Sequence, residues 1–174
     1  SIKADPMSGG RQMGGHFQTH SLDENGEFKN LTEQYNSTSD ISPTAGQMPR
    51  MLGIAYASKL FRNIDEVKNP KFSNNGNEIS WGTIGNASTS EGQFWEVINA
   101  AGVLQIPLAI FVYDDGYGIS VPIELQTTKG SISEALAGFE KKPGTNGIKI
   151  FTVNGWDYAA LCETFEEGIA YTRA

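Results

Sequence analysis

The apolar positions between residues 78 and 113 predict a strand, a helix and a second strand. Residues 78–84 alternate apolar and polar side chains and are rich in β-branched and aromatic residues, which is typical of a strand. Residues 89–104 repeat apolar side chains at helical spacing, and Ser88 with Glu91 forms a predicted capping box at the start. The helical stripe consists of Phe94, Val97, Ile98, Ala101 and Leu104. The continuous apolar run 108–112 predicts a strand buried on both faces of a parallel sheet, after a right-handed crossover.

Two further helices are predicted on either side of this unit. A stripe of methionine and aliphatic residues indicates a helix that has Pro49 in its first turn and ends near Arg62. The members of this stripe are Met48, Met51, Leu52, Ala55 and Leu60. Residues 63–77 form a polar surface connection. Residues 131–139 predict a short helix capped by Ser131 or Ser133.

The last part of the chain predicts one more strand and one more helix. Residues 147–153 have the composition of a strand, and a turn follows them. Asp157 is the predicted N-cap of a final helix, whose stripe is Leu161, Phe165 and Ile169. Trp156 and Cys162 are interpreted as packing residues, since no histidine lies near the cysteine in sequence.

These elements predict an α/β fold with a mainly parallel, doubly wound sheet and helices on both faces. The 174 residues suit a single domain over 1–174, and residues 1–40 read as a long irregular segment. The formal net charge is −7 and the pI is about 4.8, which argues against nucleic acid or an anionic membrane as a partner. One cysteine excludes an internal disulfide and is typical of a reducing cytoplasm. The apolar region 100–113 is too short to span a bilayer. The chain begins without methionine, so we expect a fragment or a processed product.

Two polar turns carry the candidate chemistry. Residues 85–88 follow the first predicted strand of the unit, and residues 114–117 follow the second. The carboxyl ends of parallel strands meet at one edge, where ligands bind. Asn86 and Asp115 offer the hard oxygen donors that Mg²⁺ prefers, and the helix start suits a phosphate. The alternative is that both segments are ordinary polar turns.

The motifs of this stretch resemble those of the thiamine-diphosphate-dependent 2-oxo acid dehydrogenases, specifically the alpha-type half of the decarboxylating component. The matching residues are Asn99-Ala100-Ala101, Ser90-Glu91-Gly92, Gly116-Tyr117 and Ile119-Ser120. The resemblance implies that Asn86, Asp115 and the Tyr117 carbonyl bind Mg²⁺. It implies further that Gly85, Ala87 and Ser88 line the diphosphate and that Ser42, Thr44, Glu91 and Ile119 belong to the cofactor site.

The chain departs from the family pattern at two points of this site. The acid expected at the first metal ligand is the amide Asn86, and the amide expected at the second is the acid Asp115. The charge of the metal site is thereby kept, so we expect Asn86→Asp to preserve or raise activity in a complete enzyme. Tyr113 stands where some relatives place a basic phosphate contact.

Two N-terminal segments add weaker candidates by the same resemblance. His16 follows Arg11-Gln12-Met13 and is the weak candidate for a catalytic residue; a solvated loop histidine is the alternative. Gln47 is a candidate potassium ligand, although Gly46 lacks the hydroxyl that some relatives offer there.

The resemblance implies oxidative decarboxylation of a 2-oxo acid with acyl transfer to a lipoyl arm. A branched-chain substrate such as 2-oxoisovalerate is favoured, and pyruvate or acetoin dehydrogenase is the alternative. The implied partners are a beta-type half and a lipoyl acyltransferase core, in a dimer or heterotetramer. Two other interpretations stay open, namely a non-catalytic domain with a degenerate metal site and an unrelated nucleotide-binding module.

Overall fold

The computed structural model describes residues 19–38 and 43–174. The predictions for His16 and Ser42 lie outside these residues. The α-helices are α1 (Gln47–Asn63), α2 (Gly92–Leu104), α3 (Ile132–Leu136) and α4 (Tyr158–Arg173). The strands are β1 (Ser80–Gly85), β2 (Leu108–Tyr113), β3 (Tyr117–Gly118) and β4 (Val121–Pro122). Within the described ranges, no helix combines the length and the apolar character needed to cross a bilayer.

The central unit is a parallel pair of strands joined through α2. β1 and β2 pair in register from Ser80 opposite Leu108 to Gly85 opposite Tyr113. This confirms the predicted strand–helix–strand order, and it brings the carboxyl ends of both strands to the same level. β2 is only half-buried, which differs from the prediction of burial on both faces. The mixture of helices with a small parallel sheet is consistent with an α/β fold.

The core lies between α1, α2 and the two strands. Met48 and Phe94 are fully buried, and the predicted apolar stripes of both helices face this core. Gly82 allows α1 to lie directly on β1, because a Cβ at this position would be 2.1 Å from the Met51 sulfur. Loss of a buried aromatic side chain such as Phe94 typically costs about 3–5 kcal/mol, so this packing fixes the geometry of the strand ends.

α4 contacts the sheet through Phe165, one residue of its predicted stripe. The Asp157 side chain caps the helix by accepting from the Ala160 N–H at 3.0 Å, as predicted. The Phe165 ring meets the Phe111 ring edge-to-face at 4.9 Å. The packing roles predicted for Trp156 and Cys162 are wrong, since Trp156 is 86% exposed and Cys162 is exposed. Trp156 lies in the turn before the helix, and Cys162 follows the stripe by one position and therefore points about 100° away from it.

The strand predicted over 147–153 is wrong. Ile148 forms one isolated parallel bridge with Glu140. The Ile148 N–H donates to the Phe139 carbonyl at 2.9 Å, and the Lys141 N–H donates to the Ile148 carbonyl at 2.8 Å. The segment thus satisfies these groups with the chain just before it, and it adds no strand to β1 and β2. In the same region the predicted cap of α3 is confirmed, because Ser131 accepts from the Glu134 N–H at 3.3 Å.

Candidate functional site

The two polar turns meet at the carboxyl edge of the parallel pair. Gly85 and Tyr113 are opposite each other at the end of the ladder, so the residues that follow them are neighbours. The Asn86 side-chain Nδ2 donates to Asp114 Oδ1 at 2.5 Å. This hydrogen bond confirms the predicted convergence of the two turns, although the contact is made by Asp114 rather than by Asp115.

Asn86 is a buried amide with a fixed environment. Its side chain and backbone are 2% exposed. Gln126 Nε2 donates to Asn86 Oδ1 at 3.3 Å and to the Val121 carbonyl at 3.2 Å. The Thr89 hydroxyl donates to the Asn86 carbonyl at 2.7 Å. A side-chain carbonyl has two lone pairs, so Asn86 Oδ1 retains the capacity for one more partner.

Asp115 lies at the surface and shapes its own turn. Its Oδ1 accepts from the Tyr117 N–H at 3.1 Å, and Gly116 adopts a left-handed φ of 78° that few other residues tolerate. Among the described residues, the second carboxylate oxygen of Asp115 has no hydrogen-bond partner. The Tyr117 side chain is exposed, and Ile119 is completely exposed with a left-handed φ of 57°.

A glycine allows the two turns to lie in contact. A Cβ at Gly118 would be 2.4 Å from the Ala87 Cβ and 2.8 Å from Gln126 Oε1. Gly118 begins the tight reversal between β3 and β4, where it is paired with Val121. Close approach of the backbone is therefore the reason for glycine at this position.

The predicted capping box at the start of α2 is wrong. A 3₁₀ turn over Ala87–Ser90 comes first, and the Glu91 N–H donates to the Ser88 carbonyl at 3.3 Å. α2 begins at Gly92, and Glu91 occupies the N-cap position without a side-chain hydrogen bond. The reason is local, because the Thr89 hydroxyl and the N–H of Thr89 both bond back to the Asn86 carbonyl and tighten this turn.

The remaining predicted residues surround this edge. Gly85 ends β1 at the surface, Ala87 and Ser88 are half-buried in the 3₁₀ turn, and Glu91 is exposed. Thr44 is exposed shortly before α1. Gln47 also contacts this edge. Its Nε2 donates to the Thr83 carbonyl at 3.0 Å, and this hydrogen bond connects the start of α1 to the last part of β1.

Asp114 and Gln126 are the site residues that sequence reasoning missed. Asp114 carried a signal, since it belongs to the Asp-Asp turn, but the family pattern drew attention to its neighbour. Gln126 carried none, because it lies in a polar stretch and reaches Asn86 across 40 positions. Residues 19–38 and 43–174 contain no group of three or more His, Cys, Asp or Glu arranged for a metal ion.

Comparison with known proteins gives a consistent result. The family described as "Dehydrogenase E1 component" matches residues 10–174. The chain is 30% identical over 164 residues to the 2-oxoisovalerate dehydrogenase subunit alpha of Bacillus subtilis, covering 94% of this chain and 40% of that protein. It is 27% identical to the mitochondrial 2-oxoisovalerate dehydrogenase subunit alpha of Caenorhabditis elegans, covering 94% of this chain and 31% of that protein.

A further relative has a different substrate in its name. The chain is 29% identical over 121 residues to the pyruvate dehydrogenase E1 component subunit alpha of Acholeplasma laidlawii, covering 70% of this chain and 29% of that protein. The chain thus spans less than half the length of these relatives. Because the family match extends over nearly all of its residues, the chain belongs to the dehydrogenase E1 component family.

Proposed function

We propose that this chain supplies the Mg²⁺ and diphosphate half of a thiamine-diphosphate site in a 2-oxo acid dehydrogenase. The observation that carries the proposal is the meeting of the turns 85–88 and 114–117 at one edge of a parallel sheet. Ligands of α/β sheets bind at such edges, where strands end and helices begin. The finer fold in this proposal is a doubly wound parallel sheet, to which β1 and β2 contribute the central pair.

The oxygen donors at this edge fit a magnesium ion. Asn86 Oδ1 keeps one free lone pair, Asp115 has an oxygen that accepts no hydrogen bond from the described residues, and the Tyr117 carbonyl follows in the same turn. Mg²⁺ is typically held by one or two carboxylates together with substrate phosphates, in an octahedron of hard oxygen ligands. One carboxylate and one amide give this site the charge that such coordination requires.

The 3₁₀ turn after β1 is the proposed contact for the diphosphate. Gly85, Ala87 and Ser88 offer a narrow backbone and one hydroxyl beside Asn86. Glu91, Ile119, Thr44 and Ser42 complete the proposed cofactor set; Ser42 lies outside the described residues. Tyr113 is 67% exposed at this edge and offers a neutral phenol instead of a cation.

The proposed reaction is the oxidative decarboxylation of a 2-oxo acid, with the acyl group passed to a lipoyl arm. Bound thiamine diphosphate supplies the electron sink for loss of carbon dioxide. The chain's own part is to hold the diphosphate and the metal. The described residues include no histidine or carboxylate that we assign as acid or base, and His16 stays the weak candidate. We propose a beta-type half and a lipoyl acyltransferase core as partners, a dimer or heterotetramer as the complete enzyme, and the cytoplasm as its location.

A branched-chain substrate is favoured over pyruvate. The names of the Bacillus subtilis and Caenorhabditis elegans relatives support 2-oxoisovalerate, and these matches extend over 94% of the chain. The Acholeplasma laidlawii relative supports pyruvate over a smaller share, 70% of the chain. The test is to assay the complete protein with its beta-type half and an artificial electron acceptor. We expect thiamine- and Mg²⁺-dependent turnover with 2-oxoisovalerate, faster than with pyruvate. Turnover that does not depend on thiamine diphosphate or on Mg²⁺ would refute the proposal.

One observation favours a non-catalytic alternative. Both polar ends of the Asn86 amide already have partners within the chain, which is what a degenerate metal site would show. In that case the complete protein binds no Mg²⁺, with or without thiamine diphosphate. Calorimetric titration of the complete protein with Mg²⁺ in the presence of the cofactor separates the two candidates.

A further inference from the structure

An asparagine that serves as a metal ligand must have its side-chain amide in one of two orientations, whereas an aspartate has no such requirement. The two oxygens of a carboxylate are equivalent, so rotation of the group by 180° changes nothing. Rotation of an amide exchanges an oxygen acceptor for an NH₂ donor, and the donor repels a cation. Asn86 can bind a metal only if its surroundings select one of the two orientations.

The surroundings of Asn86 differ on its two sides. On the nitrogen side, Asp114 Oδ1 accepts from Nδ2 at 2.5 Å. A carboxylate group has hydrogen-bond acceptors and no donor. On the oxygen side, Gln126 Nε2 donates to Oδ1 at 3.3 Å. The reversed amide would place its oxygen against a carboxylate and its NH₂ against another NH₂. Asp114 lies at the surface, but Asn86 is 2% exposed, so water has little access to the amide itself.

Gln126 is itself held in one orientation. Its Nε2 also donates to the Val121 carbonyl at 3.2 Å. The Ser90 hydroxyl donates to the backbone carbonyl of Gln126 at 3.2 Å and so holds the backbone from which this side chain extends. A Gln126 amide rotated by 180° would bring an oxygen to both acceptors. The chain from β4 to Gln126 thereby determines which atom is presented to Asn86.

We propose that Asp114 and Gln126 are positioning residues, which orient the Asn86 amide so that its oxygen is available to the metal. This inference rests on the metal site of the proposed function and adds two residues to it. It also explains why an amide side chain at position 86 is compatible with binding a metal. An acid at residue 86 would put a buried carboxylate in contact with the carboxylate of Asp114, which lies at the surface, so residues 86 and 114 work as a pair of one amide and one acid.

The pairing gives a test based on exchange of the two side chains. The complete protein with its beta-type half is prepared with Asn86→Asp, with Asp114→Asn and with both changes. We expect each single variant to bind Mn²⁺ in the presence of thiamine diphosphate at least tenfold more weakly than the complete wild-type protein. The double variant restores one amide and one acid in reversed order and should recover most of the affinity. Glu124→Gln is the matched control, since it removes one charge from an exposed residue near Gln126.

A second measurement reads the orientation without any metal. In the complete protein, with this chain labelled with ¹⁵N, the Asn86 side-chain NH₂ should give two well-separated proton signals that exchange slowly with water. Asp114→Asn and Gln126→Met should shift these signals and speed the exchange, and Glu124→Gln should not. The inference is overturned if these variants leave the signals unchanged, or if the double variant binds Mn²⁺ no better than the single ones. Failure of the complete wild-type protein to bind Mn²⁺ would instead overturn the proposed metal site, and the NH₂ signals would still decide the orientation.

Discussion

Gly118→Ala should separate the two turns that form the candidate site. The added Cβ would be 2.4 Å from the Ala87 Cβ, whereas carbon atoms in contact are normally about 3.5–4.0 Å apart. The turns must therefore move apart by more than about 1 Å. Gly118 has no left-handed φ, so the substitution meets no backbone strain of its own. Overpacking of this kind typically costs about 1–3 kcal/mol, and we expect the free energy of unfolding to fall by that amount.

The position of Ala87 allows the cause to be checked. Ala87→Gly removes the nearest atom that the new methyl group would meet and leaves only the flexible Gln126 side chain to move, so the double variant Ala87→Gly with Gly118→Ala should recover much of the lost stability. Ala87→Gly alone should lower the free energy of unfolding by about 0.5–1 kcal/mol, because glycine loses more conformational entropy on folding than alanine. Gly138→Ala is the control, since a Cβ at Gly138 meets no atom within 4 Å.

Urea unfolding of the wild-type chain, the two single variants at residues 87 and 118 and their double variant measures the coupling between these residues. Residues in contact typically show coupling energies of about 0.5–3 kcal/mol. We expect a stabilising coupling energy in this range and an unchanged slope of the free energy of unfolding against urea concentration. Additive effects of the two substitutions, or a Gly118→Ala variant as stable as Gly138→Ala, would refute the contact between the turns.

Three other variants test separate parts of the fold. Asp157→Ala should lower the free energy of unfolding by about 0.5–2 kcal/mol, because it removes the cap that accepts from Ala160; an unchanged urea midpoint would argue against the cap. Gly53→Ala should raise it by about 0.5–1 kcal/mol, since Gly53 is an exposed residue within α1 and a Cβ there meets nothing; a loss of stability would contradict this. Hydrogen bonds from the backbone N–H groups of Glu27 and Asn25 lower the pKa of Asp23 below its ordinary value. Its contribution to stability should be present above about pH 4 and be lost as the pH falls through the lowered pKa. Asp23→Asn should abolish this part of the pH dependence, and an NMR titration that gives Asp23 an ordinary pKa would count against it.

The elements that the sequence predicts correctly are those with two agreeing signals. α1 combines an apolar stripe with Pro49 in its first turn, and α4 combines a stripe with the Asp157 cap. β1 and β2 have strand composition and a helix of suitable length between them. Such elements are determined by local preference and by periodicity, which the sequence displays directly.

The failures come from contacts that the sequence does not display. Residues 147–153 have strand composition, but Gly147 has a φ of 141° and packs tightly on Phe139 and Lys141, which directs the hydrogen bonds of Ile148 away from the sheet. At the site, both Asp114 and Asp115 lie in one turn, and only the ladder register and the turn geometry decide which one meets Asn86. The same contact changes the expectation for Asn86→Asp. Beside Asp114 we now expect that substitution alone to weaken the site.

The central claim is that Asn86 and Asp115 bind one divalent cation at the edge where the two turns meet. The most direct measurement is an anomalous difference map from crystals of the complete protein grown with Mn²⁺ and thiamine diphosphate. The account predicts a single peak in direct coordination with Asn86 Oδ1, an Asp115 carboxylate oxygen and the Tyr117 carbonyl. A peak that contacts only one of the two turns, or a cofactor bound with its metal elsewhere, would contradict it.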